Sequence, residues 1–207
     1  EYLKNGNWRD NSAMGNELYK KTVGIVGFGA IGKQLAKRLQ GWEVNLLVCD
    51  PLGTREMAEL FGAKLVDWNT IFKTSDIISV HLPLMESTRK LIGKEEFSMM
   101  KRSSIFVNTS RGPIVDEAAL IEALKKKDIA GAGIDVFEKE PIPADNPMRN
   151  MENVVLSPHV AGYTSESLRR ISEQCTLNCI QALQGDIPEF VINREVLPKW
   201  KERFIEK

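Results

Sequence analysis

From Thr22 onward the chain alternates short apolar runs with stretches of mixed, helix-forming residues. The apolar runs predict strands near 22–27, 44–49, 63–66, 76–81, 104–109, 130–135 and 153–156. The stretches between them predict helices over 30–40, 54–62, 67–74, 94–100 and 116–127, and a long one over 164–184. Several strand runs, DIISVHL and SIFVNTS among them, are apolar nearly throughout, as expected of strands buried on both faces of a parallel sheet. Such alternation predicts an α/β fold with an open, doubly wound parallel sheet, whose ligands bind at the carboxyl ends of the strands. In 116–127, Asp116 and Glu117 open the helix and Lys125 to Lys127 close it, charges that complement the helix dipole. The first twenty residues are polar and read as a connecting segment, and neither an internal repeat nor a low-complexity stretch is visible.

One strand-to-helix junction stands out. Lys21 to Gly32 reads KTVGIVGFGAIG, and the helix-forming run KQLAKRL follows at once. A GxGxxG pattern carries little weight alone but much more between a strand and a helix. Gly27 allows the tight turn, Gly29 lets a pyrophosphate approach the backbone, and Gly32 lets the helix pack against the sheet. The helix start offers unpaired N–H groups and a positive dipole end to phosphates. Asp50 closes the next apolar run, VNLLVCD, eighteen residues after Gly32. An acid there accepts hydrogen bonds from the adenosine ribose and repels a 2′-phosphate, which favours NAD over NADP. Arg55 weakens that exclusion slightly, and Asp50 before Pro51 also suits a simple turn.

Composition narrows the partners. The 207 residues suffice for one large domain or two small ones, and 28 basic residues balance 28 acidic ones. No global basic field points to nucleic acid. No apolar run reaches membrane-spanning length, and no charged-then-apolar leader opens the chain. Cys49, Cys175 and Cys179 lack both the even count of a disulfide framework and the spacing of a metal site, so no metal is expected. A reducing, cytoplasmic setting fits best. Cys175 and Cys179, four apart on the long helix, read as small core residues.

Three strand ends carry unusual polar residues. SIFVNTS runs into Ser110-Arg111-Gly112, GAGIDV into Phe137-Glu138-Lys139-Glu140-Pro141, and NVVLS into Pro158-His159. An arginine, a carboxylate and a histidine thus fall on the edge where the glycine loop would hold a dinucleotide. The set suits hydride transfer to a carbonyl: histidine supplies the proton near neutral pH, and a carboxylate beside it stabilises the imidazolium. Arginine holds a substrate carboxylate through paired hydrogen bonds. Each residue also has a plainer use. His159 after Ser-Pro suits a turn, Arg111 suits a surface pair, and Glu138 rivals Glu140. His81, the only other histidine, reads as a groove-lining residue beside Pro83. Asp135 reads either as a core-edge acid or as an anchor for the cofactor amide.

These motifs resemble the NAD-binding domain of the D-isomer-specific 2-hydroxyacid dehydrogenases, a Rossmann-type fold. The resemblance rests on VGIVGFGAIG at 23–32, Asp50-Pro51, HLPL at 81–84, VNTSRGPIVDEAAL at 107–120, GAGIDVFEKEP at 131–141 and SPHVAGYT at 157–164. It implies that Arg111 binds and polarises a 2-oxo acid, that His159 is the acid/base and that Glu140 supports His159. It implies NAD contacts at Gly27, Phe28, Gly29, Ala30, Ile31, Gly32, Asp50, His81, Pro83, Thr109, Ser110, Asp135, His159 and Gly162. It also implies a small 2-oxo or 2-hydroxy acid substrate, and a homodimer formed through segments near the first strand and near 85–105. Glu140 argues against the formate dehydrogenase branch, which has glutamine there. Corepressors of the same superfamily, which use NAD to control assembly, are the alternative; the lack of a basic extension or long disordered tail favours the enzyme. Family members normally begin with a substrate domain of roughly a hundred residues. The expected division is therefore a connecting segment at 1–21, an NAD-binding domain at 22–185, and a tail at 186–207 that returns to a substrate domain outside this chain. Alone, the chain is expected to bind NAD and turn over poorly.

Overall fold

The computed structural model describes residues 14–205 together with Leu3, Asn5, Gly6 and Trp8. Much of the expected connecting segment and the last two residues of the tail lie outside the described residues. Seven strands form one parallel sheet: β1 Thr22–Val26, β2 Asn45–Cys49, β3 Ala63–Leu65, β4 Ile77–Val80, β5 Ile105–Asn108, β6 Gly131–Ile134 and β7 Val154–Leu156. Their order is β3-β2-β1-β4-β5-β6-β7. The direction of winding reverses between β1 and β4, and a crevice opens there at the carboxyl edge.

Burial follows the strand period of two. On β2, Leu46 and Val48 join one core cluster with Val23, Ile25, Phe28 and Ala36, while Leu47 and Cys49 pack against the other. That second, larger core gathers Ile78, Val80, Phe97, Phe106, Ile114 and Leu124. Two-sided burial weakens away from the middle of the sheet. Ile105 on β5 is 37% exposed, and Val155 on the edge strand β7 is 74% exposed.

The helices are α1 Ala30–Leu39, α2 Arg55–Glu59, α3 Trp68–Thr74, α4 Lys94–Met99, α5 Glu117–Lys126, α6 Ser165–Gln184 and α7 Leu197–Ile205. Side-chain oxygens set several of their starts. Thr54, Asp67, Asp116 and Thr164 accept from the backbone N–H three residues on, which satisfies an otherwise unpaired donor. The expected helix over 54–62 is shorter than its pattern, because Gly62 has φ +66 and the chain turns there. α7 lies in what read as tail. Its signal is Trp200 and Phe204, one turn apart, with ring centroids 5.0 Å apart. Pro198 is tolerated in the first helical turn.

The chain divides into two compact units, Glu1–His159 and Val160–Lys207. This line runs before α6, whereas the sequence pattern groups that helix with the strands. In the second unit, α6 ends at Gly185 with φ +86, and a Cβ there would sit 3.1 Å from the Phe204 ring of α7. None of the twenty residues of α6 is buried. Cys175 and Cys179, read from sequence as core residues, are accordingly exposed.

Candidate functional site

The β1 side of the crevice is shaped by glycine. Gly27 has φ +92, and a Cβ on it would lie 2.6 Å from the carbonyl oxygen of His81. Its N–H still donates to Cys49 O at 2.9 Å, so the chain turns while paired to β2. A Cβ on Gly32 would lie 2.3 Å from the Gly27 carbonyl, so α1 starts directly against the turn. Gly29 is the opposite case, with nothing within 4 Å of an added Cβ. It is also the N-cap of α1 and carries no side-chain cap. The first backbone bond of the helix runs from Lys33 N to Gly29 O, so the N–H groups of Ala30, Ile31 and Gly32 precede it.

Asp50 ties this loop to β2. Its Oδ2 accepts from Phe28 N at 2.6 Å and its Oδ1 from Leu52 N at 2.8 Å. The turn use of Asp50 is thus present, and each oxygen keeps acceptor capacity for a further donor. The Phe28 ring is buried edge-on against Phe61, so only its backbone belongs to the crevice.

Two cavities share Gly29. One, of about 520 Å³, is lined by Gly29, Ala30, Ile31, His81, Pro83, Thr109, Ser110 and Arg111. The other, of about 290 Å³, is lined by Phe28, Gly29, Lys33, Asp50, Leu52 and Thr54. A dinucleotide is two nucleosides joined by a pyrophosphate, and two cavities meeting at an uncapped helix start fit that shape. His81 reaches Ser79 Oγ through Nε2 at 2.9 Å. Burial pushes its pKa below the ordinary histidine value, so the ring is a neutral lining residue near pH 7.

The β5–β7 side is built from side chains. Asn108, buried at the end of β5, donates to Arg111 O at 3.1 Å. Its Oδ1 accepts from Ser110 N at 3.0 Å and Ser110 Oγ at 2.8 Å. The Thr109–Arg111 loop therefore winds around one amide, and the exposed Arg111 guanidinium donates to Ser110 O at 2.6 Å. A Cβ on Gly112 would stand 1.9 Å from the carbonyl oxygen of Phe137. At that point the connections after β5 and β6 touch backbone to backbone.

The two rival acids separate clearly. Glu138 pairs with Lys90 at 3.3 Å, whereas Glu140 Oε2 lies 2.8 Å from His159 Nδ1. The other Glu140 oxygen accepts from Phe137 N at 3.0 Å. The His159 hydrogen bond, then the Phe137 N–H, hold the Glu140 carboxyl below its usual range, and the Arg111 charge adds to this. His159 has φ +56, an unusual conformation for a non-glycine residue, and its N–H donates to Asp135 O at 2.8 Å. Asp135 is 2% exposed, and its Oδ1 accepts from Ser157 Oγ at 2.5 Å.

Of the expected site residues, Gly162 alone falls in the second unit, in the turn before α6, where its O accepts from Thr164 N at 3.2 Å. The sequence pattern gave no site role to Asn108, Gly112 or Glu117. Asn108 had a visible signal, a polar residue inside an apolar strand run. Gly112 and Glu117 had none, because their partners are far along the chain. Among the described residues, no group of three or more His, Cys, Asp or Glu is placed to hold a metal ion. No helix among them is long and apolar enough to cross a membrane.

Residues 1–161 match the family described as D-isomer specific 2-hydroxyacid dehydrogenase, NAD binding domain. The chain belongs to this family. The dehydrogenase-family domain is 41% identical over 200 residues to a glyoxylate reductase of Korarchaeum cryptofilum, covering 95% of the chain and 60% of that protein. It is 47% identical over 165 residues to a D-3-phosphoglycerate dehydrogenase of Archaeoglobus fulgidus, covering 80% of the chain and 31% of that protein. Among solved structures it resembles D-lactate dehydrogenase with NAD+ from Lactobacillus jensenii, with a TM-score of 0.83 and 36% identity over 92% of the chain and 61% of that protein. The dehydrogenase-family domain thus spans under two thirds of each of these relatives.

Proposed function

We propose that this chain is the cofactor-binding part of an NAD-dependent oxidoreductase that interconverts a D-2-hydroxy acid and its 2-oxo acid. The observation that carries the reading is the 2.8 Å contact between His159 Nδ1 and Glu140 Oε2, at the same sheet edge as the glycine loop and Arg111. Family membership and the names of its relatives, which act on glyoxylate, phosphoglycerate and lactate, support the reaction class without choosing a substrate.

In this reading the N–H groups of Ala30, Ile31 and Gly32 hold the pyrophosphate, and Asp50 accepts from the adenosine ribose. His81, Pro83, Thr109, Ser110 and Asp135 bound the nicotinamide side. NADH held there would supply the hydride chemistry at the substrate C2. Arg111 holds the substrate carboxylate and polarises the 2-oxo group. Glu140 holds a proton on His159 Nδ1, which leaves Nε2 to deliver its proton to the forming alkoxide. The negative charge of Glu140 also stabilises the imidazolium before that transfer. A substrate domain outside this chain completes the cleft. The same reading includes a homodimer, in which exposed Met85 and Ile105 of segment 85–105 meet a second copy; sedimentation velocity tests this.

The test is NADH titration of the chain by calorimetry, then NADH oxidation by the full-length protein with hydroxypyruvate, glyoxylate, pyruvate and phosphohydroxypyruvate. Binding by the chain and turnover of one acid by the full-length protein are expected. Binding with no turnover of any 2-oxo acid would move the protein to the NAD-sensing, partner-binding class.

A further inference from the structure

The segment that carries Glu140 is an irregular connection, yet the carboxylate must meet His159 within hydrogen-bond reach. What fixes that segment comes from the start of another helix. Glu117, the first residue of α5, places Oε2 3.0 Å from Glu138 N and Oε1 2.7 Å from Asn146 Nδ2. These two donors lie on either side of Glu140, eight residues apart. One carboxylate thus closes both ends of the loop. Both partners are held in turn. Glu138 is anchored by Lys90 through its side chain, and Asn146, 7% exposed, turns its Oδ1 to Met148 N at 3.0 Å. The Asn146 amide is therefore oriented with its NH2 toward Glu117.

We propose that Glu117 is a positioning residue for the acid/base pair, clasping residues 138–146 so that Glu140 stays on His159 Nδ1. The inference rests, for its catalytic meaning, on the reading of Glu140 and His159 given above. Its physical basis is chain entropy. A loop free at both ends samples many positions of its central side chain, and fixing the ends to a rigid helix removes most of them. The same connection that carries Arg111 supplies the clasp, through Gly112 against Phe137 and Glu117 against Glu138 and Asn146. The substrate-holding cation and the carboxylate behind the histidine are thereby kept in one frame.

An ordinary helix-start role for Glu117 makes a different prediction. An acid in the first turn complements the dipole, and its loss weakens α5 without reaching His159. Asp116 separates the two cases, because its Oδ1 accepts from Ala119 N and so caps α5 from within the helix itself.

The test is the long-range 1H–15N spectrum of the 15N-labelled chain at about pH 8.5, above the ordinary histidine range. Only two histidines contribute, and His81→Gln removes the second signal. In the unsubstituted chain, His159 is expected to carry its proton on Nδ1. Glu140→Ala defines the unheld ring. Glu117→Ala is expected to move the His159 ring nitrogens at least halfway to the Glu140→Ala pattern, while Asp116→Ala lowers thermal stability and leaves them in place. Glu117→Gln keeps an acceptor for Glu138 N but turns an NH2 toward Asn146, and is expected between the two; it carries the test if Glu117→Ala does not fold. An unsubstituted pattern in both Glu117 variants would overturn the clasp. Unimpaired turnover in Glu140→Ala and His159→Ala full-length protein would instead overturn the catalytic reading and leave the clasp standing.

Discussion

The β1–β3 side of the sheet and the β4–β7 side build their parts of one crevice from different material. The first relies on backbone: a left-handed turn at Gly27, an uncapped helix start at Gly29, and Asp50 binding the loop through two N–H groups. The second relies on side chains brought together by touching connections: Asn108 behind Arg111, Gly112 against Phe137, and Glu140 on His159. Backbone donors suit a ligand whose phosphates need only several N–H groups in a fixed array. Proton transfer needs a particular nitrogen at a particular place, and only tethered side chains provide that.

Substitutions can break or sharpen this contrast. The largest effect is expected on the side-chain half. His159→Ala should lower turnover of the full-length protein by about two to four orders of magnitude, the usual range for lost general acid–base catalysis. NADH affinity, measured by calorimetry, should hold. If affinity fell in step with turnover, the two halves would not be separable.

Gly112→Ala comes next, because its methyl would overlap the Phe137 carbonyl, a backbone atom with little room to yield. Overpacking of this kind costs about 1–3 kcal/mol, readable in urea unfolding. Gly29→Ala is its counterpart. With open space around it, stability should stay within about 0.5 kcal/mol, the range of neutral surface changes. NADH binding should nevertheless weaken, since in the proposed binding mode the methyl stands in the path of the pyrophosphate. Equal stability losses at both glycines would erase the distinction between a packing glycine and a ligand-facing one.

Asp50→Ala leaves Phe28 N and Leu52 N without their acceptor. It should weaken NADH about tenfold or more, the scale of a hydrogen bond to a charged group, and narrow the preference over NADPH. An unchanged preference would assign cofactor choice to Arg55 or the backbone.

The smallest expected effect is on pH dependence. Burial depresses the pKa of His81 in the folded chain, so below about pH 6.5 the unfolded chain binds the extra proton. The contribution is present above that pH and is lost as the pH falls. The decline of Tm between pH 7 and 5 should therefore flatten in His81→Gln. Glu140 acts lower, its stabilising contribution lost as acid reprotonates a carboxyl held below its usual range.

The strands were legible almost residue by residue, because each apolar run is short and is bounded by polar or turn-forming residues. Helix ends were legible where a cap residue marks them, as at Thr54, Asp67 and Asp116. α6 was legible as a helix but misleading as to burial, since its period of apolar residues says which face wants a partner and not whether this chain provides one. The choice between Glu138 and Glu140 could not be made from spacing. Both acids follow the same strand, and only the positions of Lys90 and His159 tell them apart.

By itself, then, the sequence determined the parallel sheet, the glycine turn and the identity of the residues at three strand ends. Those features depend on neighbours within a few positions, where period, φ preference and capping act directly. Tertiary structure decided which acid meets the histidine, why Gly112 must lack a side chain, and how Glu117 reaches across to the loop behind His159. Those depend on contacts nineteen or more residues apart along the chain, made only when parallel strands set their carboxyl ends side by side.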